Sequence, residues 1–213
     1  MINIDDPRVS FDPEDYQKIF SHPTFTTHAT PAQGAAGGIA AHWMPLIACF
    51  SKARLEEIAQ LRREDFKRES GADYFAIHNA KGSTKNKASN RAVPVHPVLT
   101  RLGLLDYVAS LPSPDAPLFP LLKLSKLGKL SGSWGAWFAK FLRHEIGITD
   151  TRKTFHSFRH GFATNWRIRR LDEPVRFVID GHALGSVGAK YGHTPIETRA
   201  YWMDKLVIKG FPL

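Results

Sequence analysis

Apolar and polar positions along the 213-residue chain change period several times, and each change marks an element. Phe11-Asp12-Pro13 runs into a helical pattern ending near Phe20, so Asp12 is a candidate cap and Pro13 the first helical residue of a short helix. Ser21 to Gly38 is rich in Thr, Ala, Pro and Gly and predicts irregular chain. From Gly38 to Leu61 the spacing suits two packed helices. The second has Leu55, Ile58 and Leu61 or Ala59 on one face, with Arg54 and Glu57 together on the other. The period then drops to two: Tyr74 to His78 predicts a strand, Lys81 to Asn90 a polar turn, and Arg91 to Val95 a returning strand whose Pro94 requires an edge or an end. Helical spacing resumes at Pro97 to Leu111 and at Ser133 to His144, where Trp134, Trp137, Phe138 and Phe141 form a core stripe. In His156 to Arg170, Phe158, Phe162 and Trp166 face inward, and His156 and Arg159 lie one turn apart on a neighbouring face. Pro174 opens a last short helix that runs to Ile179 and is stopped by Gly181. The pattern predicts a mainly α fold with a small antiparallel β-sheet, an α+β domain.

Composition narrows the class. With 43% hydrophobic residues the chain can bury a core of its own, so residues 1–213 are expected to form one domain, with 1–40 as an irregular lead-in and 192–213 as a tail. The formal charge is +9, unevenly distributed: residues 1–50 carry two Lys/Arg against five Asp/Glu, and the rest carry 27 against 15. A polyanionic partner is favoured, and the positive surplus lies in the C-terminal three quarters. The single cysteine, Cys49, permits no internal disulfide and reads as a small buried hydrophobe. No apolar run approaches the ~20 residues of a membrane span, and Met1 to Asp6 has no signal-peptide pattern. A soluble, cytoplasmic protein is expected.

Candidate chemistry concentrates late in the chain. His156-Ser157-Phe158-Arg159-His160 is followed by Gly181-His182 and, nine residues after His182, by Tyr191. With Arg54 and the lysine-rich hairpin from Lys81 to Arg91, these residues include every group needed to cut a phosphodiester through a covalent tyrosine. Transesterification at phosphorus spreads negative charge over the equatorial oxygens. Without a metal, fixed donors must meet that charge, and guanidinium forks do so best. No pair of histidines stands at metal-ligand spacing with a carboxylate, so neither a metal nor a cofactor is expected, and a metal nuclease is the remote alternative.

In order and spacing, these residues resemble the tyrosine recombinases, the phage integrase family, from about residue 40 to 195. The carrying motifs are Arg54 with Glu57 three residues on, a lysine hairpin ending in Val93-Pro94-Val95-His96, His156-x-x-Arg159-His160, Gly181-His182, and Tyr191. The resemblance implies a site-specific recombinase acting on double-stranded DNA through a 3′-phosphotyrosine. It assigns phosphate binding to Arg54 and Arg159, hydrogen bonding and proton movement to His156 and His182, and nucleophilic attack to Tyr191, with Tyr201 lacking the spacing. It also implies a hairpin lysine as proton donor to the leaving 5′ oxygen. Lys85 fits best and Lys87 second, while Lys81, Lys87 and Arg91 are expected to contact DNA. Glu57 orients a neighbouring catalytic group, and His160 supports the site.

The match has departures. Where the family usually has Thr-Gly before the first arginine, this chain has Ser51-Lys52-Ala53, which leaves the turn geometry open. The helical core-binding domain that usually precedes the catalytic one has no room in residues 1–40, so a catalytic domain alone is expected. That implies a monomer for this chain and a homo-tetramer on DNA for a full-length protein. The tail after Tyr191 could dock on a neighbouring subunit or fold back on its own core. Two other readings share these residues: a tyrosine enzyme that only relaxes or resolves DNA, and a DNA-binding protein that keeps the fold without catalysis.

Overall fold

The computed structural model describes residues 9–78, 90–181 and 194–212. Helix α1 (Pro13–Phe20) begins where expected. Asp12 accepts from the Asp15 amide, Asp15 returns the bond to the Asp12 amide, and Pro13 fills the first turn. Lys153 bonds both carboxylates, tying this helix to the far side of the chain. The stretch expected to be irregular holds a four-residue helix, α2 (Pro23–Thr26), and a 3-10 turn at Gly34–Ala36.

Helix α3 (Ala40–Ser51) is buried on every side, which explains why its sequence is apolar all round, not striped. It packs against α4 (Leu55–Ala59) and against α8 (His156–Ile168). On α4, Ile58 and Ala59 face the core with Leu61 just beyond, and Leu55 is half-buried.

The sheet has three antiparallel strands in the order β1 (Phe66–Glu69), β2 (Ala72–Ile77), β3 (Arg91–Pro94). Phe75 stands opposite Phe66 and Val93, and Ile77 opposite Arg91. Pro94 ends an edge strand, as its missing N–H requires. The predicted hairpin is therefore β2 and β3, and β1 is an addition. Its residues are mostly exposed and charged, so no alternation marks them.

The helix expected from Pro97 to Leu111 is two, α5 (Pro97–Arg101) and α6 (Leu104–Ala109). They break at Gly103, whose φ of 88° leaves the right-handed helical region. Helix α7 (Ser131–His144) presents Trp134, Trp137, Phe138 and Phe141 to the core, where they meet Phe155 and Phe158. Phe158, Phe162 and Trp166 of α8 are fully buried, as their spacing predicts. Helix α9 (Glu173–Asp180) is capped by Asp172 and closed by Gly181 in the left-handed region. A further helix, α10 (Ile196–Asp204), lies against β3, β2 and α9.

The described part of the tail folds back on its own core. Leu206 and Ile208 are buried, Phe211 sits between Phe20 and Phe50, and His96 Nε2 lies 3.0 Å from the Leu206 carbonyl. Because His96 Nδ1 accepts from the Val98 amide, the proton resides on Nε2 and is donated to the tail. No helix among the described residues is long and apolar enough to cross a membrane.

Candidate functional site

The ends of α3, α4, α8 and α9 and the start of β3 meet in one charged cluster. Arg54 stands at the N-cap of α4, where the chain leaves α3. Its amide donates to Glu57 Oε2 at 2.6 Å and its Nη1 to Glu57 Oε1 at 3.2 Å, so the predicted pairing exists within a single turn. The Arg54 side chain is 56% exposed.

Glu57 is held from its other side by Arg91. The guanidinium donates to Oε1 at 3.2 Å and Oε2 at 2.8 Å, a two-pronged pair, while Arg91 Nε donates to the Ile179 carbonyl of α9 at 2.8 Å. Burial pushes the Glu57 carboxyl up, but the Arg91 hydrogen bonds and charge, with those of Arg54, overcome it and hold it below its ordinary value. The hairpin pattern groups Arg91 with the DNA-contacting residues; its side chain is only 4% exposed and braces Glu57 against α9.

Arg159, one turn along α8 from His156, is buried, and its Nη1 donates to the carbonyl of Lys52. Burial lowers its pKa to about 10, with Glu57 and Asp180 working to raise it and Arg54 and Arg91 to lower it further. These opposing charges place Arg159 in the same electrostatic neighbourhood as Arg54, and it remains cationic at neutral pH. The His156 and His160 rings contact each other at 5.0 Å, both half-buried.

The turn between α3 and Arg54 settles the departure at Ser51-Lys52-Ala53. Lys52 takes the left-handed conformation, φ 56° and ψ 13°, that a glycine would take freely. Ser51 Oγ accepts from the Ala53 amide and donates to the Ile47 carbonyl, closing the turn. A non-glycine residue there carries a cost of about 1 kcal/mol or more. The Lys52 ammonium bonds Asp180 Oδ2, which also receives Arg176 Nη1 at 2.5 Å. Burial pulls the Lys52 pKa down to about 8, against the Asp180 charge and hydrogen bond, which raise it.

Glu56 completes the frame, accepting from the Leu130 and Ser131 amides at 3.1 and 2.9 Å and so capping α7 from α4. Among the described residues cations outnumber carboxylates across the cluster: Arg54, Arg91, Arg159, Lys52 and Arg176 stand against Glu56, Glu57, Asp180 and Glu173. Such a cluster suits a phosphate group reached through Arg54.

Of the predicted site residues, the structure brings Arg54, Glu57 and Arg159 together and puts His156 and His160 on the same helix as Arg159. Lys81, Lys85, Lys87, His182 and Tyr191 lie outside the described residues. Lys52, Asp180 and Arg176 join the cluster although the motifs do not include them. The one available signal was a lysine standing where a glycine was anticipated.

No family model matches the chain, and none of the curated proteins matches it in sequence. Solved structures do match. The integrase from mycobacterium phage Brujita superposes with a TM-score of 0.58 at 16% identity, over 94% of this chain and 57% of that one. XerH site-specific recombinase, bound to a palindromic difH substrate in a post-cleavage complex, gives 0.54 at 18% identity, over 90% of this chain and 50% of that one. Tn1549 transposon integrase in complex with transposon right-end DNA gives 0.54 at 15% identity, over 97% and 68%. This chain thus spans about half the length of the first two. Its fold, helical around a small three-stranded antiparallel sheet, is that of a tyrosine recombinase catalytic domain.

Proposed function

We propose that residues 1–213 form the catalytic domain of a site-specific DNA recombinase that cleaves and rejoins strands through a 3′-phosphotyrosine. The observation that carries this reading is the meeting of Arg54 and Arg159 in one braced cationic cluster on a fold shared with integrases and recombinases. In the reaction, the Tyr191 phenol oxygen attacks the scissile phosphorus, the bond from phosphorus to the 5′ oxygen breaks, and the enzyme stays joined to the 3′ end. Arg54 and Arg159 neutralise the charge that develops on the non-bridging oxygens. His156 and His182 hydrogen-bond the phosphate and help move the phenol proton, and Lys85 protonates the departing 5′ oxygen. Lys81 and Lys87 contact the DNA backbone. Attack of a second strand's 5′ hydroxyl on the phosphotyrosine reverses these steps and releases Tyr191, so no external energy source is needed. The assembly on DNA is a homo-tetramer in this reading.

The test works without a defined target sequence. Nicked duplexes with randomised sequence beside the nick are incubated with the protein in EDTA, and DNA that stays attached to it under denaturing conditions is recovered and sequenced. Recovery of an adduct that Tyr191→Phe abolishes, while Tyr191→Phe still binds the same DNA, is the expected result. An adduct undiminished in Tyr191→Phe would overturn the assignment.

A further inference from the structure

We propose that Lys52 is a positioning residue: its ammonium, buried against Asp180, locks the turn that presents its own carbonyl to Arg159 and leads two residues later into Arg54. One side chain thereby sets both candidate phosphate-binding arginines. The inference rests on the reading of this cluster as a phosphate site.

Three observations carry it. First, Lys52 holds a left-handed conformation that an L residue leaves readily unless something retains it. Second, its Nζ bonds Asp180 Oδ2, and the Asp180 side chain is itself fully buried. That carboxylate is steadied from one turn earlier on α9 by Arg176, which Glu173 holds in turn through Arg176 Nη2 at 2.5 Å. The anchor point is therefore rigid. Third, the residue so retained offers its carbonyl to Arg159 Nη1 across 107 positions of sequence, while the next peptide passes to Ala53 and then Arg54.

A buried lysine with a lowered pKa could instead act as a proton donor. The geometry argues otherwise: the ammonium is spent on a buried carboxylate, and the Lys52 side chain is only 10% exposed. The charged groups around it are Asp180 and Arg176 on α9 and Arg159 on α8, with Arg54 and Glu57 just beyond the turn. Among the described residues Asp180 bonds the ammonium in an ion pair, so loss of the Lys52 proton above about pH 8 releases the turn from that tie.

Two readouts test the role. The first needs no DNA: nitrogen-15 spectra of the arginine side chains report how fast the Arg159 guanidinium protons exchange. Lys52→Met should speed that exchange at least about tenfold. Lys52→Gly, which takes the left-handed turn without strain and so folds even if Lys52→Met does not, should do the same because it also lacks the anchor. The second is single-turnover adduct formation on a nicked duplex recovered from the randomised library. Both variants should lose at least about tenfold in rate, with DNA affinity within about twofold. The wild-type rate should fall as pH rises past about 8, Lys52→Met should be slow and flat, and Lys52→Arg should stay active to higher pH. Arg159 exchange unchanged in both Lys52→Met and Lys52→Gly overturns the inference, as do unchanged adduct rates. If the wild type forms no adduct on any duplex, the functional reading fails and Arg159 exchange alone decides the role of Lys52.

Discussion

Replacing Arg91 with Met tests whether this side chain braces the site or belongs to a DNA-facing surface. Methionine keeps most of the stem volume and removes the guanidinium. Glu57 Oε1 is then left with Arg54 Nη1 at 3.2 Å, and Oε2 with the Arg54 amide at 2.6 Å, while the Ile179 carbonyl loses its 2.8 Å donor. The Glu57 side chain is 13% exposed, and the partner that remains belongs to a side chain 56% exposed. Breaking a buried pair from one side costs about 3–5 kcal/mol. For a domain of this size that lowers Tm by roughly 6–20 °C.

The loss has a definite pH signature. In the wild type the Glu57 pKa lies below its ordinary 4.5, so it contributes stability at pH values above 4.5 that disappears as pH falls through the folded value. In Arg91→Met, burial is opposed only by Arg54 and the charge of Arg159, and the carboxyl rises. Its ionisation then favours folding less near neutral pH. The stability gap between the two proteins should therefore be widest at pH 7 and narrow toward pH 4, as measured by urea unfolding at each pH. Glu57→Gln with Arg91→Met should recover part of the loss, since neither charge is then left alone. A deficit at pH 7 below about 1 kcal/mol, the value of an exposed pair, or one independent of pH, would refute the bracing role.

Arg159→Ala should lower the rate of adduct formation by roughly 10²–10³-fold, measured in single turnover, because a donor to the developing oxyanion is lost. Adduct yield should be the same in EDTA as in magnesium, as determined on denaturing gels. A Cβ on Gly161 would collide with Tyr16 Oη, so Gly161→Ala should cost about 1–3 kcal/mol. Tyr16→Phe removes a buried hydroxyl that has no partner among the described residues, so it should be neutral or stabilising and should partly rescue Gly161→Ala in thermal unfolding. Burial lowers the pKa of both His42 and His96 to about 4, so the unfolded chain binds their protons first. Stability should fall from pH 6.5 to 4 by up to about 3 kcal/mol per histidine, and an asparagine at either position should flatten that slope.

Which parts of this molecule could be read in advance depends on how far apart the interacting residues lie. The Asp12 cap, the aromatic stripe of α7, the inward face of α8 and the stop at Gly181 all arise within a turn or two of chain, where helical spacing and capping chemistry decide the outcome. Helix α10 escaped because its buried side chains are Ile196, Arg199 and Met203, a face with a guanidinium in its middle. That guanidinium is satisfied by the carbonyls of Thr194 and Ala92, which no local pattern announces. Strand β1 escaped for the opposite reason: three of its four residues are exposed, so it carries no apolar alternation.

The same distinction divides the candidate site. Arg54 and Glu57 are three residues apart, and their pairing follows from helix geometry alone. Arg91 reaches Glu57 across 34 residues, Arg159 reaches Lys52 across 107, and Lys52 reaches Asp180 across 128. In sequence, an arginine destined for a buried carboxylate looks identical to one destined for phosphate, and a basic chain supplies many of both. Bonding partners and burial together tell them apart: Arg91 is enclosed against the Glu57 carboxylate, Arg54 leaves most of its side chain open to solvent, and Arg159, though buried, donates to a backbone carbonyl. The surplus of positive charge that first suggests a polyanion therefore overstates the surface available to one. Part of it is internal framework, and that framework determines where the remaining cations point.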